Sequence, residues 1–290
     1  MSPIYVSEVK YMIICKNRTD LQSVITKIKA QGKSLGFVPT MGALHQGHIS
    51  LIHQSVQTCD ITCASIFVNP TQFNNPHDLQ TYPRTLDSDI AMLNEAGCDI
   101  VFVPEVIDMY PQGTQHIESY NFGSLERVME GAFRPGHFNG VAIIVKRLFD
   151  LIPADTAFFG LKDYQQVAII RALVEQEKIP VRIVACPTVR EPDGLAMSSR
   201  NMRLNAEQRK QAVEISKTLF TVQALVGKKS VDDVKKFVID TLNSVPLLSV
   251  EYFEIVHQNT LQPIQNWNEP AVACVAVNVG DVRLIDNVLL

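Results

Sequence analysis

The chain has 290 residues, of which 46% are hydrophobic, and a net charge of −4. That length suggests one large or two modest domains, with enough apolar side chains for a sizeable core. It carries no arginine- or lysine-rich run, no apolar stretch of membrane-span length and no apolar signal-peptide core, so no nucleic-acid partner, membrane span or secretory leader is expected.

Residues 1–11 precede Met12 and read as an N-terminal extension. Thr19 or Asp20 can cap a first helix carrying Leu21, Val24, Ile25 and Ile28, stopped by Gly32. LGFVP (35–39) reads as a short buried strand, followed by a helix from near Gly47 with Ile49, Leu51, Ile52 and Val56. ITCASIFVNP (61–70) is a longer strand, Asp87 to Ala96 a helix closed by Gly97, and CDIVFVP (98–104) a third strand. A helix over 141–152, a strand TAFFG (156–160), a helix over 163–176 and a strand PVRIVACP (180–187) complete the alternation. Apolar strands separated by helices predict a Rossmann-like, doubly wound parallel sheet over residues 12–187. In such sheets ligands bind beyond the carboxyl ends of the strands.

The remainder changes character. Asn205 with Gln208, and Ser230 with Asp233, mark two helix starts, and three strand-like runs follow at 250–256, 272–280 and 282–288. Residues 188–290 therefore read as a smaller α+β domain. The six cysteines, Cys15, Cys59, Cys63, Cys98, Cys186 and Cys274, form no C-x-x-C pair. They read as reduced, buried small side chains of a cytoplasmic protein, with no zinc site or disulfide framework.

GALHQGHI (42–49) has the spacing of a phosphate-binding P-loop, but His48 and Ile49 stand where the lysine and metal-binding hydroxyl would be. It is not G-x-G-x-x-G either. What survives is a helix N-terminus after a strand, with glycines that allow close backbone approach to an anion. His45 and His48 lie about one turn apart and can face the same anion. As imidazolium they would stabilise charge on a leaving pyrophosphate. Taken alone, two partly exposed histidines at a helix start are an equally simple reading. The missing lysine and hydroxyl argue against transfer of the terminal phosphoryl and for attack at the α-phosphate.

HQGH is an H-x-G-H motif. With PTMGALHQGH, SIFVNPTQF, YPRTLDSD, EGAFRPGHFNGVA, FFGLKDYQQ, VREPDGLAMSSRN and RLIDN in order, the chain resembles the pantoate–β-alanine ligase family of H-x-G-H nucleotidyltransferases from about residue 13 onward. The resemblance implies that ATP and pantoate give a pantoyl adenylate and pyrophosphate, and that β-alanine then displaces AMP. It implies ATP contacts from Met41, Gly42, Ala43, Leu44, His45, Gln46, Gly47 and His48, with His48 as a proton donor. A carboxylate needs no deprotonation at neutral pH, its pKa being ~4, so charge stabilisation is the larger task for both histidines.

Further ATP contacts are implied for Gly160, Leu161, Lys162, Asp163, Val189, Met197, Ser198, Ser199 and Arg200. Of these, Lys162 and Arg200 join the histidines as catalytic groups, and Asp163 also reads as a helix N-cap. Leu161 stands where the family commonly has glutamate. Gln72 and Gln166 are implied for pantoate and Gln72 also for β-alanine; Asn69 is a supporting contact or a turn residue. Asp89, with Asp87 nearby, is the implied ligand of Mg2+ accompanying ATP, and Ser88 stands where some relatives have an acid. Glu130, Arg134 and His137 line the pantoate end or order a flap. A cytoplasmic homodimer joined through edge strands of the first domain is the implied assembly. The alternatives left by the residues are a different H-x-G-H adenylyltransferase and a noncatalytic nucleotide-binding module.

Overall fold

The structure is a computed structural model and describes residues 11–74, 76–114 and 118–290. All but the last residue of the expected 1–11 extension lies outside the described residues. The first half is a six-stranded, all-parallel sheet. In chain order its elements are β1 (Ile13–Cys15), α1 (Arg18–Ala30), β2 (Leu35–Thr40), α2 (Gln46–Thr58), β3 (Ile61–Ile66), α3 (Pro76–Thr81), α4 (Leu86–Glu95) and β4 (Ile100–Phe102). They continue with α5 (Val106–Met109), α6 (Met129–Phe133), α7 (His137–Leu151), β5 (Thr156–Gly160), α8 (Tyr164–Gln176) and β6 (Arg182–Cys186). The strand order is β1-β4-β3-β2-β5-β6. The chain winds outward from β2 through β3 to β4, then returns to place β5 on the other side of β2. The order therefore reverses between β2 and β5, and a crevice opens beyond their carboxyl ends.

Apolar clusters cover both faces of this sheet. One is built around Phe37, Phe102, Ile143 and Phe159, the other around Val38, Ile52, Val101 and Phe158. Neighbouring residues of β2, β4 and β5 thus face opposite clusters, which is why these strands are apolar throughout. The second half holds α9 (Ala206–Leu225), α10 (Val231–Asn243) and a three-stranded antiparallel sheet of β7 (Leu248–His257), β8 (Ala271–Val279) and β9 (Val282–Leu289). Its core, including Ile215, Val238, Phe253 and Val275, is a separate cluster. The α9 start is a reciprocal capping box of Asn205 and Gln208, and Ser230 caps α10 by accepting from the Asp233 N–H.

Some boundaries differ from the sequence reading. The first helix is capped by Asn17, whose side chain accepts from the Asp20 N–H, so it starts before Thr19. The strand read over 61–70 ends at Ile66, because Asn69 and Pro70 turn into a 3-10 segment, Pro70–Gln72, and proline has no N–H for the ladder. The helix expected over 141–152 begins at His137, after Gly136 at φ 82°. The edge strand β1 and the short helices α3, α5 and α6 were not expected at all.

Candidate active site

The turn between β2 and α2 adopts a costly backbone. Gly42 sits at φ 76° and Ala43 at φ 49°, a region that glycine enters freely and alanine does not. Asp89 of α4 holds this turn. Its carboxylate accepts the Ala43 N–H at 3.0 Å, the Leu44 N–H at 2.8 Å and the Thr85 hydroxyl at 3.0 Å. Asp89 is 1% exposed and does not line the crevice. The metal role expected for Asp89 is therefore corrected: both oxygens are committed to the turn. Thr85, not Asp87, occupies the N-cap of α4. Among the described residues, no group of three or more His, Cys, Asp or Glu side chains is placed to hold a metal ion.

The two histidines build the start of α2 from their own side chains. The Gly47 N–H donates to His45 Nδ1 at 3.1 Å, and the His45 N–H donates to His48 Nδ1 at 3.3 Å. This is a capping box, with His45 at the N-cap rather than Gly47. A Cβ at Gly47 would lie 2.8 Å from His45 Cε1, so only glycine lets the ring fold over the backbone. Because each Nδ1 accepts, each neutral ring keeps its proton on Nε2. Enclosure in protein and the Lys162 ammonium push the His45 pKa down to about 4; enclosure, then His45 and Lys162, push His48 down to about 3. The imidazolium expected from the sequence is thus replaced by a pair of neutral rings carrying Nε2–H donors, with centroids 4.1 Å apart on the crevice wall.

The turn after β5 is held from the second half of the chain. Asn287 Nδ2 donates to the Leu161 and Lys162 carbonyls, each at 2.8 Å. Beside it, Arg190 pairs with Asp286 in a fork of 2.7 and 2.9 Å. Leu161 thus serves the site through its backbone, and its departure from glutamate leaves that contact intact. Asp163 occupies the N-cap position of α8 without a capping bond from its side chain. It faces the crevice with Lys162, whose Nζ lies 3.9 Å away.

At the other end of the crevice Gln72 is positioned by a buried chain of polar groups. The Tyr110 hydroxyl donates to Asn69 Oδ1 at 2.6 Å, and Asn69 Nδ2 donates to Gln72 Oε1 at 3.1 Å. Asn69 is 1% exposed and Tyr110 1%. This order fixes the amide so that its Nε2 remains for a ligand. His137 Nδ1 lies 2.8 Å from the Gln72 carbonyl, which can only accept, so His137 donates there. Gln166 faces the same space, and Phe67, Val141, Ile144, Val145 and Leu148 form an apolar wall beside both glutamines.

The remaining wall is the 3-10 turn Ser199–Arg203. Ser198 Oγ accepts the Arg200 N–H at 3.2 Å and caps it. Arg200 and Arg203 each donate at 3.0 Å to Asp78 of α3, which docks this segment on the first domain.

Of the expected ATP contacts, Met41, His45, Gly47, His48, Gly160, Lys162, Asp163, Val189, Met197, Ser198, Ser199 and Arg200 line the crevice. Gly42, Ala43, Leu44, Gln46 and Leu161 do not. Sequence reasoning missed Tyr82 and the α7 wall on the crevice, and Asp78 and Tyr110 behind it. The apolar spacing in α7 reads as ordinary core, and only the fold turns part of that stripe toward a ligand.

A family model described as pantoate-beta-alanine ligase matches residues 13–289. A pantothenate synthetase of Bacteroides fragilis (strain YCH46) is 52% identical over 271 residues, covering 93% of this chain and 95% of its own. One of Porphyromonas gingivalis (strain W83) is 50% identical over 279 residues, covering 96% and 99%. The crystal structure of a pantothenate synthetase from Thermus thermophilus superposes with a TM-score of 0.90 at 41% identity, covering 96% of this chain and 99% of that one. A Francisella tularensis pantoate-beta-alanine ligase complexed with beta-gamma ATP and beta-alanine gives 0.81 at 36% identity, covering 96% and 98%. Matched over nearly its whole length in both sequence and fold, the chain belongs to the pantoate–β-alanine ligase family.

Proposed function

We propose that the chain condenses pantoate with β-alanine, using ATP and an enzyme-bound pantoyl adenylate. The observation that carries this reading is the pairing of two ends of one crevice. Nε2–H donors of His45 and His48, with Lys162 and Arg200, stand at the end suited to phosphates; neutral amides of Gln72 and Gln166 stand at the other, beside an apolar wall. The wall suits the gem-dimethyl carbon of pantoate, and the amides suit its hydroxyls and carboxylate.

In the first step a pantoate carboxylate oxygen attacks the α-phosphorus, the new O–P bond forms, and the bond to pyrophosphate breaks. Neutral Nε2–H groups donate to the phosphate oxygens as charge moves onto the leaving group, with Lys162 and Arg200 supplying the permanent charge. In the second step the β-alanine nitrogen attacks the acyl carbon, the C–O bond to AMP breaks, and the amine proton passes to solvent. The Ser199–Arg203 turn covers the crevice and keeps water from the adenylate.

ATP enters as its magnesium complex. No cage of protein carboxylates is available for the ion among the described residues, and Asp89 has no oxygen to spare, so phosphates and water supply most of its ligands. Six free cysteines support a reducing, cytoplasmic setting. No helix among the described residues is long and apolar enough to cross a membrane. A homodimer is supported by the free β1 edge, where Tyr11, Ile13 and Ile14 are exposed.

An adenylyltransferase for a phosphorylated acceptor would need cations where Gln72 and Gln166 stand. A noncatalytic module would bind ATP and release no AMP when both substrates are added. The test is exchange of labelled pyrophosphate into ATP. It should require pantoate and not β-alanine, and its absence in folded, ATP-binding protein would remove the adenylate mechanism.

A further inference from the structure

We propose that Arg134 binds the carboxylate of β-alanine, in a small cavity that opens off the crevice beside Gln166. The inference rests on the amide-forming reading above. The cavity is lined by Glu130, Arg134, His137 and Tyr252, and shares Lys162, Asp163 and Gln166 with the main crevice. A group seated in it therefore faces the acyl end of the adenylate.

A count of charges singles out Arg134. Among the described residues, the permanent cations lining the crevice or the cavity are Lys162, Arg200 and Arg134. The phosphates of ATP call on Lys162 and Arg200, which stand at the histidine end. β-Alanine brings a carboxylate of its own, and Arg134 is the cation left for it. Nearby Arg283 is already spent: it forms a fork on Glu130 at 2.9 and 2.7 Å and also bonds Glu251.

Arg134 itself is poorly satisfied. Its contacts are Glu130 Oε2 at 3.3 Å and the Gln72 carbonyl at 3.4 Å, both long for a guanidinium. Glu130 is shared with Arg283 and with the Tyr252 hydroxyl at 2.9 Å. A guanidinium has five N–H donors, so most of this fork has no protein partner among the described residues. The side chain is 22% exposed, enough to reach a ligand and little enough to strengthen the bond. A carboxylate accepting two parallel N–H bonds is its natural complement.

The reach also fits. Arg134 Nη2 touches the backbone of Gln72, whose amide faces the acid. Extended β-alanine spans roughly 5 Å from nitrogen to carboxylate oxygen by standard bond lengths. Its amine would then stand at the acyl carbon while its carboxylate rests on Arg134. Gln72 does not depend on Arg134 for its place, since His137 holds the same carbonyl at 2.8 Å.

The experiment compares β-alanine with n-propylamine, an amine of the same length without the carboxylate, as acceptors in amide formation from ATP and pantoate. The ratio of their kcat/KM values measures how strongly the carboxylate is read. In Arg134→Ala that ratio should fall by a factor on the order of 10², the loss of a charge-assisted pair. In Arg134→Lys it should fall less, because lysine restores the charge without the fork. A ratio equal to that of the unaltered enzyme in either variant overturns the assignment, and Arg134→Lys decides alone if the alanine variant does not fold. Failure of the unaltered enzyme to form either amide would overturn the parent reading instead.

Discussion

Replacing Asp89 with asparagine separates a clamp from a metal ligand. The carboxylate receives three hydrogen bonds, from the Ala43 and Leu44 N–H groups and the Thr85 hydroxyl, in a site 1% exposed. Asparagine keeps one oxygen for Leu44 but presents an NH2 to the Ala43 N–H. One charge-assisted bond is lost, worth about 1.5–3 kcal/mol, and a buried donor is left facing another donor. The expected loss of stability is about 2–3 kcal/mol, which for a chain of this size lowers Tm by about 5–10 °C. Because the strained Gly42–Ala43 turn loses its tether, KM for ATP should rise as well. The assay is thermal unfolding of the nucleotide-free protein, in Mg2+ and in chelator. The clamp predicts the same drop in both. An unchanged Tm, with a selective loss of Mg2+ dependence in the reaction, would refute the clamp and restore the metal role.

Three further outcomes follow from the site. His48→Ala should slow pyrophosphate–ATP exchange by a factor on the order of 10²–10³, as loss of one preorganised donor does, and an unchanged rate would remove His48 from the first step. Tyr110→Phe removes the donor that orients Asn69 and, through it, Gln72; KM for pantoate should rise about five-fold, for about 1 kcal/mol, with KM for ATP unchanged. Equal shifts in both constants would contradict that chain of contacts. Finally, His45, His48 and His137 have folded pKa values pushed down to about 4, about 3 and about 4, mainly by enclosure. As pH falls below the ordinary value of 6.5, the unfolded chain takes up protons first, so the stability present above pH 6.5 is lost on the way down through about pH 4. Tm should fall between pH 7 and 5, and ATP binding near pH 6 should take up protons because its phosphates favour the charged rings. Calorimetry in buffers of different ionisation enthalpy reads that uptake, and none would contradict a direct His–phosphate contact.

Much of the fold was legible because strands buried on both faces are apolar throughout, as in TAFFG, which the structure places as β5 without a shifted residue. Caps built from side chains, such as Asn205 with Gln208, were equally plain. β1 was missed because three residues at a sheet edge, two of them exposed, carry no periodic signal. The candidate site was legible where chemistry sits next to a strand end, as with His45, His48 and Lys162. It was not legible where distant parts of the chain meet. Asp89 looked like a metal ligand because a carboxylate in sequence does not reveal that it faces two backbone N–H groups 46 and 45 residues away. The protonation state of the histidines was misread for a related reason, since enclosure and the Lys162 charge belong to the assembled crevice.

The central claim is that pantoate attacks the α-phosphate of ATP. It is tested most directly by supplying pantoate labelled with 18O in its carboxylate and analysing the products by mass spectrometry. Attack at the α-phosphate followed by aminolysis leaves one labelled oxygen in AMP and none in pyrophosphate. Label in inorganic phosphate, with ADP as the nucleotide product, would mean attack at the terminal phosphate and would contradict the account.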